Sequence, residues 1–158
     1  MIDHLIEIVF KNIPADEIGF LLKDLTSDGQ EINRYYFTCE CSAIDWNNEK
    51  LLKEIFINNE NFGLFINLKE LKKDSVCLKN CGLVIYKYEN KIDLEINFKL
   101  FDLNPRFRKG LTSDIMKLAK SIANQYKIDL YFCGIEPAED ANTRLFTKEE
   151  IGPLSIED

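Results

Sequence analysis

Polar and apolar positions alternate most regularly between Lys91 and Leu100. Ile92, Leu94, Ile96, Phe98 and Leu100 fall on one side, and Lys91, Asp93, Glu95, Asn97 and Lys99 on the other. A period of two with one wet face is the pattern of an antiparallel strand covered on one side only. Gly82–Tyr88 precedes it across Glu89-Asn90, which predicts a hairpin with arms at 82–88 and 91–102. The same period marks a strand over 2–10, where Ile2, His4, Ile6, Ile8 and Phe10 share a face opposite Asp3, Leu5, Glu7 and Val9. Further strands are predicted over 32–41, with Tyr35, Phe37, Cys39 and Cys41 on one face, over 62–68, and over the buried run 128–133.

Between these runs the period changes to that of a helix. Ile18, Leu21, Leu22 and Leu25 form one stripe, behind Pro14 in the first turn and acidic Asp16 and Glu17 near the positive end of the dipole. Gly29 marks the stop. A second helix carries Leu51, Leu52, Ile55 and Phe56, capped by Asn47 or Asn48, with Trp46 packing back on Leu51 or Leu52. A third runs from a Thr112 or Ser113 cap to about Lys127, with Ile115, Leu118, Ala119, Ile122 and Tyr126 inward. Residues 69–80 are mostly polar and read as a connection with a helical turn. The order β-α-β-α-β-β-β-α-β implies an α+β fold: a mixed, mainly antiparallel sheet with about three helices packed on it. No linker or repeat divides the 158 residues, so one domain, 1–158, is expected.

Charge changes the picture more than composition does. The chain carries a net charge of −7, and seven acids against Arg144 and Lys148 place five of those charges in residues 136–158. Such a surface attracts basic partners and repels nucleic acid and anionic membranes. No apolar run approaches the roughly 20 residues that span a bilayer, and Met1-Ile2-Asp3-His4 lacks the basic start of a secretory signal, so the cytoplasm is the expected compartment.

Catalytic equipment is sparse. His4 is the one histidine, and it reads as a structural or edge residue of a terminal strand; pairing it with Cys133 as base and thiol has no support in the spacing. The five cysteines are odd in number, which argues against a disulfide framework. Cys39, Cys41, Cys77 and Cys81 add up to a zinc donor set, but Cys39 and Cys41 have one residue between them in a strand-like run. The cysteines therefore read as small buried apolar groups, with no metal and no cofactor. Glu139-Asp140 and Glu149-Glu150 lack the spacing of a calcium loop.

Arg106-Phe107-Arg108-Lys109-Gly110-Leu111-Thr112 lies between a strand and a helix, where backbone N–H groups and a helix dipole can face a pyrophosphate. Over residues 82–133 this resembles the cofactor loop of GNAT-type acyl-CoA N-acyltransferases, whose pattern is Q/R-x-x-G-x-G/A. Gly110 fits the first glycine, while Phe107 replaces Gln or Arg and Thr112 replaces Gly or Ala. A basic turn that merely opens a helix is the other reading. A diverged acyltransferase, or a non-catalytic relative, is thus the second reading of the chain.

The segment Phe132-Cys133-Gly134-Ile135-Glu136-Pro137-Ala138-Glu139-Asp140, continuing through Thr143-Arg144-Leu145-Phe146-Thr147, mixes acids with apolar residues and is expected to order as a loop over the sheet edge. It resembles the C-terminal part of small bacterial immunity proteins, the antidotes of contact-dependent growth inhibition and related polymorphic toxins. That resemblance implies tight binding to a cognate toxin domain, often a nuclease with a basic cleft, and the single histidine and incomplete cofactor loop predict no enzymatic turnover. The acidic segment then supplies the candidate partner-binding set: Glu136, Glu139, Asp140, Arg144, Phe146, Glu149 and Glu150. Native mass spectrometry of protein purified without chelator should give the bare polypeptide mass; one stoichiometric zinc, lost on Cys39→Ser or Cys77→Ser, would overturn the reading of the thiols.

Overall fold

The computed structural model describes residues 4–40, 43–100 and 110–153. Strand β1 (Leu5–Lys11) leads into helix α1 (Ala15–Leu25), β2 (Ile32–Phe37), α2 (Glu49–Asn58), β3 (Phe62–Lys73), β4 (Val76–Tyr88), β5 (Lys91–Lys99), α3 (Leu111–Gln125), β6 (Leu130–Ile135) and β7 (Arg144–Thr147). The strands form one seven-stranded sheet in the order β2-β3-β4-β5-β1-β6-β7. Every described pair is antiparallel. The α+β class stands.

The first strand of the chain is an inner strand of the sheet. Ile8 of β1 faces Ile96 of β5 on one side and Cys133 of β6 on the other. Ile6, Ile8 and Phe10 point into a core that also takes the stripes of α1 (Ile18, Leu21, Leu22, Leu25) and α3 (Ile115, Leu118, Ala119, Ile122). Helix α2 adds Leu52 and Phe56, and the Phe56 ring meets Phe62, which in turn meets Phe37. Gly19 sets the spacing of α1 and α2: a Cβ there would lie 2.0 Å from the Glu49 carbonyl oxygen, so any side chain would push the helices apart. Asn48 Oδ1 caps α2 by accepting from the Leu51 N–H at 3.1 Å. Lys87 closes the other end, donating to the Phe56 and Asn59 carbonyls at 2.6 and 2.8 Å.

Three expectations are corrected. Residues 69–80 are not a polar connection: β3 and β4 continue as one long hairpin that turns at Asp74 and Ser75. The inward parity changes there, from Leu68 to Leu71 on β3 and from Leu78 to Cys81 on β4. Asn80, with φ +51°, lies at the change, and the pairing register runs past it unshifted, from Leu68 with Cys81 to Glu70 with Lys79. Helix α3 is not capped by Thr112 or Ser113. Gly110 is the N-cap, with φ +77°, and Thr112 is buried in the first turn with no partner for its hydroxyl. Finally, the acidic segment contains a seventh strand. Cys133 pairs with Phe146 but Gly134 pairs with Arg144, so Leu145 is an extra residue and both Leu145 and Phe146 turn inward.

Residue 151 returns to bridge Phe146, and the Gly152 N–H donates to the Leu145 carbonyl at 2.8 Å, covering the outer edge of β7. Phe146→Ala should therefore lower the unfolding free energy by about 3–5 kcal/mol, the cost of a large buried aromatic. Urea denaturation followed by circular dichroism measures it; a loss under about 1 kcal/mol would show that β7 is not part of the core.

Candidate partner-binding face

The helices lie on one face of the sheet, and strand register fixes what the opposite face presents. One row of facing residues crosses all seven strands: Tyr36, Phe65, Val84, Glu95, Val9, Phe132 and Thr147. The adjacent row is Arg34, Asn67, Gly82, Asn97, Glu7, Gly134 and Arg144. On the other side of the first row, Tyr86 stands between Gly63 and Asp93.

The β2–β4 half of this face is aromatic and uncovered. Tyr36 is 65% exposed, Tyr86 42% and Phe65 37%. Their rings form a chain, Tyr36 to Phe65 at 6.3 Å and Phe65 edge-on to Tyr86 at 6.0 Å between centroids. Beside it, Gly82 leaves room for the Asn97 side chain, whose Oδ1 lies 2.3 Å from where a Cβ would stand. The resulting recess of about 430 Å³ is lined by Arg34, Tyr36, Phe65, Asn67 and Asn97.

The β5–β1 half is acidic. Asp93 is buried and fully engaged: it accepts from the Lys11 ammonium at 3.3 Å, the Asn12 N–H at 3.0 Å and the Tyr88 hydroxyl at 2.7 Å. Glu7 accepts from the Ala138 N–H at 3.1 Å. Glu95, half-buried, has no hydrogen bond or ion pair with the described residues. Burial, then the charge of Glu7, and with it Glu139 and Glu136, hold its carboxyl above the usual range against the opposing pull of Lys11. Burial and the Glu95 and Glu7 charges likewise raise the Tyr86 hydroxyl. A second recess of about 390 Å³ opens here, lined by Lys11, Tyr86, Tyr88, Asp93, Glu95 and Glu139.

The acidic segment singled out in the sequence meets this face at one end only. After β6 the chain folds back over the sheet, and Ala138 packs with Val9 and Phe132 in a small second core. Glu136 and Glu139 are exposed there, and Glu139 reaches Lys11 at 3.4 Å. Arg144 lies over the Phe132 ring at 5.2 Å and donates to the Glu139 carbonyl at 2.9 Å, so it fastens the loop. Asp140 caps the short 3-10 turn Ala141–Thr143 by accepting from the Asn142 N–H. Phe146 is fully buried, which corrects its expected place at the surface. Glu149 and Glu150 are exposed beyond β7, in a turn where their N–H groups donate to the Thr147 hydroxyl.

The chemical candidates come apart. His4 is exposed just before β1. Cys133 is buried, its thiol raised by burial and by Glu7, and burial pushes Cys81 up to about 12, so neither supplies a ready thiolate. Cys41 and residues 106–109 of the basic loop lie outside the described residues. Among the described residues no group of three or more His, Cys, Asp or Glu is placed to hold a metal ion, and no helix is long and apolar enough to cross a membrane. A cavity of about 530 Å³ on the helical side, between α3 and β6–β7, is lined by Lys117, Lys120, Lys127 and Lys148, so positive charge collects away from the acidic face.

Residues 4–151 match the PABL017 Cdi1I immunity protein family. The chain belongs to this family. Its fold is shared by a chain of the crystal structure of the toxic C-terminal tip of CdiA from Pseudomonas aeruginosa in complex with immune protein, with a TM-score of 0.80 and 24% identity, covering 98% of this chain and 100% of that one. A second likeness is to the Pseudomonas aeruginosa T6SS protein PA0821, with a TM-score of 0.51 and 12% identity, over 83% of this chain and 42% of that one. No curated protein matches the chain. The resemblance read from the acidic segment is thus a family membership that extends over nearly the whole chain.

What the sequence reading missed in this immunity protein is the aromatic half of the face. The signal was present as parity: Phe65 and Tyr86 sit at the outward positions of strands whose other positions are buried. The acids can be tested through stability. Because the folded state raises the Glu95 carboxyl, its charge costs stability above that raised value, and the cost disappears as pH falls through it. Glu95→Gln should raise the melting temperature at pH 7.5 by about 2–4 °C and converge with the parent below about pH 4. A lower melting temperature at pH 7.5 would show that the carboxylate makes a stabilising contact.

Proposed function

We propose that this immunity protein neutralises a cognate toxin domain by direct protein–protein binding in the cytoplasm, and that it performs no chemistry of its own. The family match over residues 4–151 is the observation that carries this reading. The shared fold with a chain of the complex between a toxic CdiA tip and its immune protein agrees with it. The thiols of Cys133 and Cys81, raised by burial, are poor nucleophiles, which agrees with a binding role.

Electrostatics give the partner its sign. An acidic protein suits a cationic toxin domain, of which a nuclease with a basic cleft is one class, and covering such a cleft or the surface beside it blocks its substrate. The exposed acids Glu136, Glu139, Asp140, Glu149 and Glu150 are the steering set, with Arg144 holding their loop and Phe146 holding β7. Exposed charge acts on association rate and its salt dependence more than on lifetime.

Binding kinetics against the cognate toxin domain test this. Glu139→Lys with Glu150→Lys leaves every described backbone contact in place, since neither side chain caps an element. The pair should slow association by about three- to tenfold at low ionic strength and flatten its salt dependence. Association unchanged at every salt concentration, with the fold intact, would make this segment a solvated surface only. A wild-type protein that neither binds the toxin domain nor protects cells expressing it would overturn the function.

A further inference from the structure

Affinity needs an anchor that leaves water on binding, and the steering acids are too exposed to be one. Large apolar groups are exposed at several places on the described surface. Phe20, Leu51 and Ile57 stand on α1 and α2, and Leu130 and Ile151 stand at β6 and just beyond β7. On the open face, by contrast, Tyr36, Phe65 and Tyr86 form a continuous chain of ring contacts. Rings fixed on a rigid sheet lose little freedom on binding and offer broad apolar area with a polar tip.

Register places an acid next to these rings. Glu95 shares a row with Tyr36 and Phe65, two strands beyond Phe65, which is about 10 Å across the sheet. It lies among Glu7, Glu136 and Glu139, with Lys11 the cation nearest it, and the last of these acids is already bridged to that lysine. Among the described residues Glu95 has no hydrogen-bond or ion-pair partner, although it is half-buried. Tyr36 and Phe65 line one recess, Tyr86 and Glu95 the other, and the ring contact between Phe65 and Tyr86 links the two linings.

We propose that the toxin domain docks on the open face of the sheet, with Tyr36, Phe65 and Tyr86 as the apolar anchor and Glu95 receiving a lysine or arginine of the toxin. The proposal rests on the immunity reading and adds its interface. Charge complementarity selects this occupant over a second copy: two such faces brought together would set the Glu7, Glu95, Glu136 and Glu139 cluster against its own kind or leave it unpaired beneath a protein. A cationic partner supplies the missing charge. A carboxylate that costs the free protein stability and repays it in the complex is then a specificity device.

Single substitutions Tyr36→Ala and Tyr86→Ala, Glu95→Gln, and Phe20→Ser as the helical-side control, are compared in binding kinetics against the cognate toxin domain. All four replace exposed or half-exposed groups, and circular dichroism and melting curves confirm folding. Tyr36→Ala and Tyr86→Ala should each speed dissociation about tenfold or more, the size expected of an aromatic hot spot. Glu95→Gln should also speed dissociation while raising the melting temperature of the free protein, a combination that a purely structural role does not produce. Phe20→Ser should leave both rates unchanged. Wild-type release rates for the folded tyrosine variants would overturn the assignment of this face, as would a loss confined to Phe20→Ser. Sedimentation of the protein alone adds the other occupant: a dimer that dissociates on Tyr36→Ala would make the face a self-association surface and overturn the proposal. Failure of the wild-type protein to bind the toxin domain would instead strike the immunity reading itself.

Discussion

Three helices cover one face of a seven-stranded sheet, and nearly everything else about the molecule follows from that one-sided burial. A strand has a period of two, so each inward residue commits its neighbours to the other face. Ile92, Leu94, Ile96 and Phe98 go in, and Asp93, Glu95 and Asn97 must go out. The chain deals with the second face in two ways. At β1 and β6 it folds residues 136–143 back over Val9 and Phe132 and pins them with Arg144. At β2–β4 it leaves the face open and sets large rings there. The acids lie along the boundary between the covered half and the open half.

That boundary shows a division between stability and recognition. Asp93 is a structural acid: buried, with three donors around it. Glu95, two residues on, has the same outward parity but no hydrogen-bond donor among the described residues, and the charges of Glu7, Glu139 and Glu136 act on it against Lys11. Two acids on one strand therefore have opposite consequences for the free protein. Sites under selection for binding commonly carry such unfavourable local arrangements, because the complex rather than the free chain satisfies them.

The parts legible in the sequence were those with an unbroken period. The β5 alternation and the α1 stripe are both realised, and Asn48 caps α2 as read. The parts that were not legible each contain a bulge or a special backbone angle. Around Asn80 the inward parity switches on both arms of the β3–β4 hairpin, so no period of two survives across 69–80. Leu145-Phe146 buries two consecutive residues, which looks unlike a strand until the extra residue is recognised. At α3, a hydroxyl at the expected position lost to a glycine with positive φ. The candidate site divides in the same manner. Its acids cluster in sequence and were visible as charge. Its rings come from β2, β3 and β4, and only pairing brings Tyr36, Phe65 and Tyr86 together.

The place of β1 has a kinetic meaning. Strand β1 pairs with none of the three strands that follow it: Ile8 waits for Ile96 and then for Cys133. Its two hydrogen-bonding edges are satisfied only after most of the chain exists, so contacts of high sequence separation close the sheet late. A nascent fragment ending before β6 keeps one edge of β1 bare, and the Ile6, Ile8 and Phe10 stripe lacks the strand beside it. Closure of the sheet around β1 is thereby tied to the arrival of β6, about 120 residues later in the sequence, and until then the apolar stripe stays open to wrong partners.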